Sequence, residues 1–209
     1  MPSVIFFGGM FNPFHNGHAH VLKKASELSS VKEIILLPNY CSPEKSVPDI
    51  SIDHRLNMLD LVCHAFNEDQ TAVSVSVSDF EISKETTSRT IDTLTHFNDQ
   101  YQNDSLGFLI GSDSFFSLHK WKSFKDLIDL AEFIVVNRDR FQKEVSNRYI
   151  AETFGEDKAN RFKFITVPHL EISSTEVRKQ LNQSKYDDVE IPQYILRYIQ
   201  AHQLYKIGD

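Results

Sequence analysis

The sequence predicts an α/β fold: a single domain over residues 1–209, built on a Rossmann-like, mostly parallel sheet with helices on both faces. Three observations predict it. Short apolar runs alternate with longer stretches of helical spacing along the whole chain, the pattern of strand–helix units in a parallel sheet. Several of the runs are nearly unbroken, as strands buried on both faces are. Five of the seven glycines, Gly8, Gly9, Gly17, Gly107 and Gly111, lie at or beside the ends of two of these runs. A residue without a Cβ there lets the backbone turn sharply or come close to a ligand.

The elements follow in order. Residues 4–7 form an apolar run stopped by Gly8-Gly9 and read as a buried strand. Helical spacing covers 17–28, and 33–37 is a strand ended by Pro38. A helix over 53–66 carries Leu56, Met58, Leu59, Leu61 and Val62, with Asp53 as its expected N-cap. Residues 73–77 alternate valine and serine, which suggests a strand with one buried face. A helix over 88–97, a strand over 106–110 stopped by Gly111, a helix over 124–130 and strands over 133–136 and 163–167 complete the alternation. Residues 174–181 and 192–202 read as closing helices within a C-terminal helical part, 173–209. Residues 139–161 are polar and weakly periodic, which suggests a variable surface insertion with some helix.

Composition excludes several classes. The net charge of −7 argues against a general nucleic-acid binder, which would show a basic stripe. A small phosphate site remains open, because it needs only a few local cations and well-aimed N–H groups. The two cysteines, Cys41 and Cys63, match no metal spacing and read as free thiols in a reducing compartment. The first residues lack a basic region and a cleavage site, and no apolar run is long enough to span a bilayer. The expectation is a cytoplasmic protein with neither membrane nor nucleic-acid partner. The pattern leaves a homo-oligomer open.

Two segments carry chemistry. The first is Gly8-Gly9-Met10-Phe11-Asn12-Pro13-Phe14-His15-Asn16-Gly17-His18, which follows a strand and opens a helix. Two imidazoles beside a helix N-terminus can donate to the charged oxygens of one phosphate. A zinc pair is the alternative, but no third ligand at usable spacing accompanies it. The second is Ile172-Ser173-Ser174-Thr175-Glu176-Val177-Arg178. By itself this is an N-cap with Ser173 or Ser174 capping and a surface arginine. Following a strand, it also offers a second helix N-terminus, and two such termini plus an arginine would cradle a triphosphate. Neither G-x-G-x-x-G nor G-x-x-x-x-G-K-[ST] occurs, so those phosphate devices are excluded.

The first segment resembles the G-G-x-F-[DN]-P-x-H-x-G-H signature of the HxGH nucleotidyltransferases, and the second resembles their I-S-S-T-x-[IV]-R. Within that superfamily the chain looks like a bacterial nicotinate-nucleotide adenylyltransferase. Leu37-Pro38-Asn39 with Ser42-Pro43-Glu44-Lys45, His54-Arg55-Leu56-Asn57-Met58, Ser88-Arg89-Thr90-Ile91-Asp92-Thr93-Leu94, Gly111-Ser112-Asp113 followed by Trp121, Val136-Asn137-Arg138 and the closing Tyr198-Ile199 to Leu204-Tyr205 resemble further family pieces in the same order. Met10, Asn12, Glu44, Arg89 and Asp139 depart from the usual residues.

The resemblance implies an adenylyltransferase of NAD biosynthesis. Its substrates would be ATP, with Mg²⁺ carried on the phosphates, and nicotinate mononucleotide. The products would be nicotinate adenine dinucleotide (deamido-NAD) and pyrophosphate. It implies catalytic roles for His15, His18 and Arg178. The ATP site would add Gly8, Gly9, Phe11, Lys45, Gly111, Asp113, Arg138, Ser173 and Ser174, with Asp113 on the ribose and Arg138 near the adenine. The acceptor site would hold Asn39, Thr90 and Trp121, and no protein metal ligand is implied. The bland readings stand beside these: Lys45 and Arg138 as surface cations, Asp113 as a helix N-cap, Thr90 as a helix start and Trp121 as packing. The alternatives are another acceptor, such as nicotinamide mononucleotide or phosphopantetheine, and a nucleotide-binding module without catalysis.

Overall fold

The computed structural model describes residues 1–41, 50–69, 72–137, 143–168 and 172–206. Six strands form one sheet: β1 Val4–Gly9, β2 Glu33–Pro38, β3 Ser74–Val77, β4 Leu106–Gly111, β5 Glu132–Asn137 and β6 Phe162–Thr166. Every pairing is parallel and the order is β3-β2-β1-β4-β5-β6. Parallel neighbours need crossovers, and helices supply them: α1 Asn16–Ser26, α2 Ile52–Asp69, α3 Thr90–Gln100, α4 Ser112–Ser117, α5 Phe124–Leu130 and α6 Lys143–Phe154, with α7 Ser174–Asn182 and α8 Gln193–Ala201 following the last strand.

The side-chain period of a strand sorts the core into two layers. Ile5, Phe7, Ile34 and Leu36 face one way and pack with Val21 and Leu22 of α1, Met58 and Leu59 of α2, Val177 of α7 and Ile195 of α8. Val4, Phe6, Ile35 and Leu37 face the other way and pack with Leu94 of α3, Phe115 of α4, Leu127 of α5 and Ile150 of α6. The sheet is thus covered on both faces, as the unbroken apolar runs predict. Residues 143–161 take part in this packing. Ile150 of α6 is 2% exposed, and Arg161 donates to the carbonyls of Ile128 and Asp129 at the end of α5, both at 2.6 Å.

Several local expectations change. Asp53 is not a cap: α2 begins one residue earlier, and the hydroxyl of Ser51 accepts the His54 N–H at 3.3 Å. Asp53 sits in the first turn, where its charge complements the helix dipole. α4 had no separate signal in the sequence because six residues are too few to show a period. Gly107 serves packing, not a ligand. It lies early in β4, and a Cβ on it would come within 2.7 Å of the Pro2 ring.

β1 is the pivot of the topology. The chain runs outward through β2 and β3, then returns to add β4, β5 and β6 on the other side of β1. The crevice beyond the carboxyl ends of β1 and β4 is the topological switch point, where ligands bind in open α/β sheets. The conspicuous segments of the sequence meet there.

Candidate active site

β1 ends in Gly8-Gly9, and both glycines make room for aromatic rings. A Cβ on Gly8 would approach Phe108 of β4 to 3.2 Å, and one on Gly9 would meet the Phe11 ring at 2.9 Å. Phe11 takes a left-handed backbone (φ 44°) that folds its ring back over Gly9, and it is 1% exposed. It packs edge-on to Phe7 and to His18, with ring centroids 5.2 and 5.1 Å apart. Phe11 is therefore part of the wall behind His18.

His15 is the N-cap residue of α1 and is buried. Its ring stacks on His18, with centroids 3.7 Å apart and planes 23° from parallel. The backbone N–H of His15 donates to Nδ1 of His18 at 3.2 Å. An imidazole nitrogen that accepts carries no proton, so neutral His18 has its proton on Nε2. Gly17 permits this arrangement: a Cβ would lie 3.0 Å from the His15 ring and 3.1 Å from Ile172.

Ile172 opens the second segment, so Gly17 marks the point where the two segments touch. Ser173 caps α7, its hydroxyl accepting the Glu176 N–H at 3.1 Å. Ser174 donates to the carbonyl of Pro13 at 3.2 Å, and Arg178 donates from Nη1 to the carbonyl of Asn12 at 2.8 Å. The N-termini of α1 and α7, both histidines, Ser174 and Arg178 thus come together beside β1. Two partly positive helix ends and a guanidinium beside one crevice are the chemistry that can attract an anion.

Three residues that the sequence reading left without a role complete the loop. Arg55 is 1% exposed and donates to the carbonyls of Met10 and Asn39, both at 2.7 Å. Asn12 is buried, and its Oδ1 accepts the hydroxyl of Tyr205 at 2.7 Å. A signal for Arg55 existed, since it occupies the same helical stripe as Met58, Leu59 and Val62. A buried position given to an arginine marks a polar contact inside. Tyr205 falls in the closing piece of the family resemblance, but nothing local in the sequence ties it to Asn12, which it reaches from the far end of the chain.

The other expected residues spread around the crevice. Asn39 follows β2, and its N–H donates to the carbonyl of Gly9 at 3.0 Å. Thr90 opens α3. The Cys41–Thr87 bridge and the Ser88 N–H donating to the Cys41 carbonyl at 3.3 Å bring the Asn39 and Thr90 segments alongside each other. Gly111 caps α4, with open space around its α-carbon, and Asp113 lies in the first turn, so Asp113 is not the cap. Asp113 and Trp121 follow β4, across β1 from Asn39 and Thr90. Trp121 is half-buried and packs edge-on to Phe108, the ring that also approaches Gly8. Lys45, Arg138, Glu44 and Asp139 lie outside the described residues. Among the described residues, no group of three or more His, Cys, Asp or Glu could hold a metal ion.

A family model described as cytidylyltransferase-like matches residues 6–180, from β1 through Arg178 to the end of the second segment. The chain belongs to this nucleotidyltransferase family. Among solved structures, the cytidylyltransferase-like chain is similar to Plasmodium falciparum nicotinic acid mononucleotide adenylyltransferase complexed with NaAD. The TM-score is 0.75 and the identity 24%, over 97% of this chain and 96% of that one. The Plasmodium falciparum nicotinic acid mononucleotide adenylyltransferase complexed with APC gives a TM-score of 0.76 at 24% identity, over 98% of each chain. At these identities the likeness is one of fold. Among the described residues, no helix is long and apolar enough to cross a membrane.

Proposed function

We propose that this nucleotidyltransferase transfers AMP from MgATP to the 5′-phosphate of nicotinate mononucleotide, giving nicotinate adenine dinucleotide and pyrophosphate. The observation that carries the reading is the meeting of two helix N-termini, His15, His18 and Arg178 at the switch point of the sheet. An oxygen of the acceptor phosphate forms a bond to the α-phosphorus. The bond from that phosphorus to the bridging oxygen breaks, and pyrophosphate leaves with the electron pair. The nucleophile is already an anion, so the reaction needs positioning and stabilisation of charge more than a general base. His18 would donate from Nε2 to the α-phosphate, while Ser174, Arg178 and the start of α7 would hold the β,γ end. Mg²⁺ would come as part of the MgATP substrate, which would require no carboxylate cage from the protein.

The acceptor preference rests on α3. Its N-cap, Arg89, makes no side-chain cap, which leaves the first-turn N–H groups of α3 uncapped by that residue. Such donors favour the carboxylate of a nicotinate ring over the neutral carboxamide of nicotinamide. With MgATP, nicotinate mononucleotide should be used about 10- to 100-fold better, by kcat/KM, than the nicotinamide form, the range expected for one charge-assisted hydrogen bond. A competition assay that follows both dinucleotides checks this. Equal use would overturn the assignment of the acceptor, and no pyrophosphate from either would overturn the reaction.

A further inference from the structure

Asn12 is gripped twice. Its carbonyl accepts Arg178 at 2.8 Å and its side-chain oxygen accepts the Tyr205 hydroxyl at 2.7 Å. Tyr205 comes from the segment after α8, 193 positions further along the chain. That segment bends back through two left-handed residues, Gln203 (φ 51°) and Tyr205 (φ 62°). L-residues disfavour this conformation, so other contacts must hold it. The Leu204 N–H donates to the Ile199 carbonyl at 3.0 Å, and the Leu204 and Tyr205 side chains pack on the core layer that contains Phe11 and Phe14.

The geometry points to Tyr205 as a positioning residue for the phosphate loop: its hydroxyl fixes Asn12, and through Asn12 the loop and Arg178 that would hold the nucleotide phosphates. The inference rests on the nucleotidyltransferase reading and extends it to a residue beyond the matched stretch 6–180. Residues 10–13 lie between β1 and α1, outside the ladder and helix hydrogen bonds. Their carbonyls instead go to Arg55, Arg178 and Ser174, side chains carried by α2 and α7. Tyr205 is the contact that holds the Asn12 side chain itself. Without it the Asn12 amide can rotate, and the peptide that orients Arg178 loses one of its two anchors. Packing of the phenol ring alone would do none of this, so the hydroxyl is the part that matters.

Tyr205→Phe keeps the ring and removes the hydroxyl. Amide hydrogen exchange over residues 10–16 should become at least about tenfold faster, and the affinity for inorganic pyrophosphate, measured by calorimetry, should fall about tenfold. Both are the expected size for one lost buried hydrogen bond. The same variant should lower kcat about tenfold and leave the acceptor KM unchanged. Asn12→Ala should match it, and the double variant should be no worse than either single one. Unchanged exchange or pyrophosphate affinity, or additive losses in the double variant, would overturn the proposal. So would faster exchange with kcat unaltered in an active enzyme. Exchange and pyrophosphate binding need no acceptor, so a wild-type protein that makes no dinucleotide would sink the proposed reaction while these two measurements still decide the role of Tyr205.

Discussion

His18 shows how firmly one side chain of the candidate site is held. Its Nδ1 is committed to the His15 N–H, and the rings of His15, Phe11 and Phe14 surround it at 3.7, 5.1 and 5.3 Å between centroids. Orientation and tautomer are set before any ligand arrives, which is what preorganised stabilisation requires. His18→Ala should lower kcat about 10²- to 10³-fold, the usual loss for one donor to developing charge, while the melting temperature changes by only a few degrees. Steady-state kinetics with a thermal melt checks this, and kcat within a factor of about three of wild type would remove His18 from the chemistry. The residue stood out in the sequence because a glycine-rich strand end is a poor place for a core histidine. Its tautomer did not, since that depends on a backbone group three residues away.

At the scale of elements, α2 does more than cover the sheet. Arg55 ties the loop after β1 to the segment after β2 by holding Met10 and Asn39 at once. Burial lowers the pKa of this guanidinium from its ordinary value. An arginine retains its charge through such a shift, so the cation is kept at a desolvation cost in exchange for the two carbonyls. Arg55→Met, similar in length and apolar, should leave both carbonyls unpaired and destabilise the fold by about 3 kcal/mol, at 1–3 kcal/mol for each unpaired group. For a chain of this size the melting temperature should drop by about 6–12 °C. A stability equal to wild type would mean that water or a shifted loop satisfies those carbonyls. Helix positions were readable from the 3.6-residue spacing, but the stripe that contains Arg55 looked like a packing face, and the two loops it serves are separate in sequence.

At the scale of the whole molecule, a buried carboxyl links stability to pH. Glu81 precedes α3 and accepts the Thr93 hydroxyl at 2.6 Å. Burial pushes its pKa above the ordinary carboxylate value, the Thr93 hydroxyl and Lys84 pulling the other way. A carboxyl whose folded pKa is raised binds more protons in the folded state. Its contribution to stability is complete below the unfolded pKa and is lost as pH rises through the folded one. Glu81→Gln keeps an acceptor for Thr93 and cannot ionise. As pH rises above the ordinary carboxylate pKa and through the raised folded one, the stability of the wild type relative to this variant should therefore decline. Urea denaturation of both proteins at several pH values checks it, and parallel curves would show that Glu81 does not titrate differently on folding.

The sequence by itself determined the α/β class, because strand and helix periods are local and the unbroken apolar runs announce strands buried on both faces. It also singled out two short segments as candidates for chemistry, since Gly8 to His18 and Ile172 to Arg178 place histidines, serines and an arginine at strand-to-helix junctions. Only the tertiary structure decided that these segments meet, through Ser174 on Pro13, Arg178 on Asn12 and Gly17 against Ile172. It alone revealed what Arg55 and Tyr205 hold, and it moved Gly107 from ligand approach to packing against Pro2. The physical reason is common to all of these. Periodicity and capping depend on neighbours within a few residues, whereas pairing buried carbonyls and amides depends on which distant side chains the sheet topology delivers.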